Sequence, residues 1–95
     1  MFGVDLRRWT RPGARQGAPR RARLYVRADC GLCREAHALT APFERAGRVQ
    51  LELVNIDGDE QLFRRYCLSI PVLEIEGGKT LEWPFTRSDL RRNLR

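Results

Sequence analysis

The feature that most restricts this chain is a change of hydrophobic period. "ARLYVRA" (22–28) alternates, with Leu24 and Val26 on one side, as a half-buried strand does. Directly after it, Leu32, Ala36, Leu39, Phe43 and Ala46 recur at steps of four, three, four and three, one face of a helix. "RVQLELVNID" (48–57) then returns to period two, with Val49, Leu51 and Leu53 set against Gln50 and Glu52. A strand, a helix and a second strand in such close succession predict parallel pairing and an α/β fold. Pro42 lies inside the helical pattern and predicts a kink, and Gly47 is a plausible stop.

The remainder extends the pattern. Asp57, three residues before Glu60, has capping-box spacing and predicts a short helix over 58–66 that buries Leu62, Phe63 and Tyr66. "IPVLEIE" (70–76), opened by Pro71, reads as a third strand, Gly77-Gly78 as a two-residue turn, and "KTLEW" (79–83) as a fourth strand stopped by Pro84. Thr86 caps a last helix with Asp89 three residues on and Leu90 and Leu94 on its buried side. The order from residue 22 is β-α-β-α-β-β-α. The terminal hairpin makes the sheet mixed, four strands with helices on both faces.

Charge divides the chain in two. Residues 1–23 hold seven arginines (Arg7, Arg8, Arg11, Arg15, Arg20, Arg21 and Arg23) against Asp5, so the whole formal charge of +6 sits there. Within it, "RWTRPGARQGAPRR" has almost nothing to bury and cannot offset its ordering entropy. Residues 1–21 are therefore expected to be a basic, disordered arm and 22–95 one domain. The arm is the only part suited to touching nucleic acid or an anionic membrane. Alternatively, Trp9 docks it on the domain or on a partner. No apolar run approaches the roughly 18 residues of a membrane span, and no signal peptide opens the chain, so a cytoplasmic protein is expected.

Of three cysteines, Cys30 and Cys33 form a Cys-x-x-Cys pair, which suits a redox dithiol, half of a metal site or an inert pair. Cys30 falls just ahead of the periodic helix, where unpaired N–H groups and the positive dipole end favour a negative sulfur. Cys33, in the first turn, is within reach for an intramolecular disulfide. Asp29 acts against thiolate formation, and Arg27 and Arg34 are candidates to offset it. A metal site would need His37, four residues after Cys33, and the distant Cys67. His37 reads more simply as a surface helix residue and Cys67 as a small buried one. Trp83 and Phe85 read as core.

"DCGLC" between a first strand and a long helix, "SIPVLEI" before the third strand, and the Gly-Gly hairpin, in this order, resemble the thioredoxin fold. The short length makes residues 22–95 most similar to small bacterial glutaredoxin-like proteins. The resemblance implies a thiol-disulfide oxidoreductase in which Cys30 is the nucleophile and Cys33 the resolving thiol. It implies that Pro71 is a cis proline, with Ile70 presenting its backbone to the substrate. Arg27 stands where glutaredoxins often carry a lysine near the glutathione carboxylate. The implied substrates are a disulfide-containing protein or a glutathione mixed disulfide. Recycling would come from glutathione or a reductase, with no bound cofactor or metal and a monomeric chain. "WPFTRSD" departs from the Gly-Gly-(Cys/Ser)-Asp of glutaredoxins, with Ser88 and Asp89 alone alike in kind, and Leu24 replaces the buried aspartate of thioredoxins. The rival reading keeps the fold as a redox-inert or metal-binding module.

Overall fold

The computed structural model describes residues 19–94, and the arm expectation for residues 1–18 lies outside the described residues. The elements are β1 (Arg20–Val26), α1 (Gly31–Arg45), β2 (Val49–Asn55), a 3-10 turn (Ile56–Gly58), α2 (Glu60–Tyr66), β3 (Val72–Ile75), β4 (Thr80–Glu82) and α3 (Arg87–Asn93). They form one sheet in the order β2-β1-β3-β4. β1 and β2 run parallel, and the pairs β1–β3 and β3–β4 are antiparallel. This is the mixed four-stranded α/β arrangement of a thioredoxin-like fold.

Alternation along β1 sorts the core. Ala22, Leu24 and Val26 join Leu73 and Ile75 on one face, beneath Ala36 and Phe43 of α1 and Leu90 and Leu94 at α3. Leu24, Leu73, Leu90 and Leu94 are fully buried there, each worth roughly 1.5–3 kcal/mol over an exposed leucine. On the other face Tyr25, Ile56, Tyr66 and Val72 make a smaller cluster under α2. The Tyr25 and Tyr66 rings stack there with centroids 4.5 Å apart.

Several boundaries differ from the sequence expectations, each for a physical reason. β1 begins at Arg20 because the Arg20 N–H already bonds the Arg48 carbonyl at 3.0 Å, and it ends at Val26. α1 runs through Pro42 to Arg45, and Gly47 follows at φ 76, a left-handed conformation that costs glycine little. α2 is capped by Asp59, which accepts from the Leu62 N–H at 3.1 Å; Asp57 belongs to the preceding turn. Of the residues expected to be buried in α2, Tyr66 is, Leu62 is half-buried and Phe63 is exposed. The hairpin turn centres on Glu76 and Gly77, with Gly77 at φ 73 and the Gly78 N–H bonded to the Ile75 carbonyl at 2.9 Å. Leu53 lies on the expected side of β2 but is 50% exposed, because β2 is an edge strand. The α3 capping box is present as read: Thr86 and Asp89 bond each other's backbone N–H at 3.1 and 2.8 Å.

Candidate active site

The topology gathers the functional candidates at one end of the sheet. β1 points its C-terminus there, and the Cys loop follows it. Parallel pairing of Val26 with Asn55 brings the 3-10 turn alongside. Antiparallel pairing of Tyr25 with Val72 brings the start of β3, and with it Ile70 and Pro71, to the same end. Trp83 arrives from β4 and donates its N–H to the Pro71 carbonyl at 3.1 Å.

Cys30 is the N-cap of α1, and its sulfur accepts from the Cys33 N–H at 3.1 Å. That bond uses one of the helix's otherwise orphaned donors. Cys30 is half-exposed, whereas Cys33 is 4% exposed, and the two form a disulfide. Cys30 is thus the more accessible of the two residues and Cys33 the screened one. Asp29, just before Cys30, is exposed and holds φ 55, a conformation to which aspartate is better suited than most residues.

Arg27 lies at this end, but its guanidinium is occupied. Nε donates to Asp57 Oδ1 at 2.9 Å, and the guanidinium carbon sits 5.0 Å from the Phe63 ring centroid. Ile70 is half-buried and its N–H donates to the Tyr66 carbonyl at 3.1 Å, so that donor is committed inside the chain. Pro71 is buried, and both the Ile70–Pro71 and Trp83–Pro84 peptides are cis. Cys67 is a free, half-buried thiol at the C-cap of α2 that packs against the Tyr25 cluster. His37 is half-buried on α1. Among the described residues no three His, Cys, Asp or Glu side chains come together as a metal site requires. Phe85 is buried, and Trp83 meets it edge to face at 5.1 Å.

Sequence reasoning missed three features of this end. The Arg27–Asp57–Phe63 group spans three elements. Its one local signal is Asn55, two residues before Asp57, whose side chain accepts the Asp57 N–H at 2.8 Å and shapes the turn. Leu68, on the loop leading to Pro71, is 97% exposed, and Leu32, between the two cysteines, is 49% exposed. Leu68 leaves apolar surface on that loop, and Leu32 on the first turn of α1.

Comparison with known proteins agrees with this architecture. Residues 21–95 match the model of the Glutaredoxin-like domain (DUF836). The X-ray structure of target protein XcR50 from X. campestris is 41% identical, covering 75% of this chain and 91% of that one, with a TM-score of 0.65. The solution structure of protein Ne2328 from Nitrosomonas europaea is 36% identical, covering 78% and 88%, with a TM-score of 0.59. No curated protein matches. With the family model spanning all but the first residue of the sheet, the dithiol and all three helices, the chain belongs to the glutaredoxin-like family of the thioredoxin fold.

Proposed function

We propose that the protein is a thiol-disulfide oxidoreductase working through Cys30 and Cys33. The observation that carries this reading is the Cys30–Cys33 disulfide at the start of α1, with one sulfur half-exposed at the N-cap and the other buried. In the reduced protein the Cys30 thiolate attacks one sulfur of a substrate disulfide. The substrate bond breaks, a mixed disulfide forms, and one substrate thiolate leaves and takes a proton. Cys33 then gives up its proton and attacks the Cys30 sulfur. The second substrate thiol leaves and the Cys30–Cys33 bond closes. The substrate has gained two electrons and two protons, and the dithiol has lost them. Two glutathione thiols, or a dithiol reductase, reverse the oxidation.

Ile70 and Pro71 hold the substrate chain in this scheme, with Ile70 contributing its carbonyl because its N–H is committed to Tyr66. Arg27 meets a substrate carboxylate only by exchanging it for Asp57. The exposed Leu32 and Leu68 favour a polypeptide disulfide over a small polar one. Among the described residues no helix is long and apolar enough to cross a membrane. A cytoplasmic monomer, with thiols supplied from the surrounding pool, completes the proposal.

The test is turnover of a cystine-containing peptide with glutathione as reductant. Cys30→Ser is expected to fall to the uncatalysed rate, and Cys33→Ser to accumulate a mixed disulfide visible by mass. Full turnover by Cys30→Ser would remove the assignment. Thiols that stay reduced under mild oxidant would instead favour the inert binding module.

A further inference from the structure

The end of α1 far from the dithiol carries a second concentration of charge. Gly47, at φ 76, turns the chain back, and the Arg48 N–H donates to the Phe43 carbonyl at 2.9 Å. That turn sets Arg48 beside the last turn of α1. α3 packs against α1 and presents Arg87 and Arg91, one helical turn apart. These three arginines, with Pro42, Phe43 and Ala46, line one open hollow of about 300 Å³. α1 has 15 residues, so the hollow lies roughly 20 Å from Cys30.

Its electrostatics are one-sided. No acidic side chain lines it. Among the described residues, none of the three guanidiniums has a hydrogen-bond or ion-pair partner. The one acid of α3, Asp89, is engaged with Thr86 and Arg92. Arg91, in the last turn of α3, is favoured by the helix dipole, but Arg87 stands in the first turn, against it. The two are also like charges four residues apart, which repel. An anion seated between them turns that repulsion into attraction.

The floor narrows the choice of anion. Pro42 and Ala46 are exposed and Phe43 lies beneath them, so the hollow offers apolar surface between its charges. A guanidinium binds carboxylate and phosphate alike through its planar fork. A polypeptide with an apolar side chain among acidic ones satisfies both floor and rim, whereas a phosphate backbone brings charge alone. The volume is at the low end for small-molecule cavities and the hollow is open, which suits one or two side chains of a partner. Residues 1–18 carry Arg7, Arg8, Arg11 and Arg15 against Asp5, the wrong sign for this place.

We propose that the hollow docks an acidic segment of a partner polypeptide. An apolar side chain rests on Pro42, Phe43 and Ala46, and carboxylates meet Arg48, Arg87 and Arg91. The site leaves Cys30 open and does not rest on the oxidoreductase reading.

The test is an NMR titration of the full chain with the peptide acetyl-Glu-Phe-Glu-Glu-amide. Reading it residue by residue separates the hollow from the basic residues 1–18. Saturable shifts are expected at Phe43, Ala46, Arg48, Arg87 and Arg91. Arg48→Gln and Arg91→Gln should each weaken binding about threefold, an ordinary size for an exposed ion pair, with the rest of the spectrum unchanged. A peptide with serine in place of phenylalanine should bind more weakly, and one with glutamine in place of glutamate should not bind. Equal binding by wild type and both variants overturns the proposal, as does equal binding of the glutamine peptide or a response confined to residues 1–18. The same shifts with inorganic phosphate at equal concentration overturn it in favour of a simple anion site. Tighter binding of an oligothymidylate at these residues overturns it in favour of nucleic acid. Shifts there on raising protein concentration without peptide overturn it in favour of a second copy of the chain.

Discussion

On one face of the sheet, α1 and α3 bury Leu24, Leu73, Leu90 and Leu94 completely, while on the other α2 covers only the end that carries the dithiol. The rest of that second face is a polar groove in which Arg23 meets Glu52 at 3.2 Å and Glu74 at 3.8 Å. Tyr25 donates from its hydroxyl to Glu74 at 2.7 Å, at the border between cluster and groove. The difference separates two jobs. The closed face supplies the cohesion of the fold, and the half-closed face shapes one end of it. A seven-residue α2 could not persist without tertiary support. Its small cluster holds in place the loop that carries Cys67, Leu68 and Ile70.

The strongest challenge to this contrast is the same truncation on each face. Leu73→Ala is expected to cost about 3 kcal/mol, because it empties a fully enclosed position. Leu62→Ala, half-buried on the inner side of α2, should cost about 1 kcal/mol, since water reaches the gap. Equal losses in urea unfolding would mean that the two faces carry the fold alike.

A smaller effect should mark the border residue. Burial, and then the hydrogen bond to Glu74, push the Tyr25 hydroxyl from 10.0 to about 12. The neutral phenol is therefore favoured in the folded state. Its contribution is complete below pH 10 and is lost as pH rises through about 12. Stability of the wild type should fall across that window, and Tyr25→Phe should lack this part of the alkaline fall. Parallel curves for the two proteins would place Tyr25 among the ordinary surface phenols.

The least effect is expected in the groove. Arg23→Gln removes two exposed ion pairs and should change stability by about 0.5 kcal/mol or less. A cost near that of Leu62→Ala would show that the charged ladder shares in holding the sheet together.

What could be read in advance follows how far apart the partners lie in sequence. The Thr86–Asp89 box was legible because both partners and both N–H groups fall within four residues. In "DGDE" the same logic pointed to Asp57, three residues before Glu60, whereas the cap is Asp59. Arg27, thirty positions earlier, draws Asp57 into its ion pair, and Asp59 is left to cap α2. The side on which Leu53 lies was legible from period two, but its exposure follows from β2 lying at the edge of the sheet. The dithiol at the head of α1 was visible from the helical period alone.

By itself, then, the sequence determined the order of strands and helices and the position of Cys30 at a helix start, because both arise from repeats and caps within a few residues. Only the tertiary structure decided which strand is an edge, which sheet face stays open, and which charges near Cys30 are already neutralised. Those outcomes depend on contacts between distant segments, and such contacts exist only once the sheet has closed.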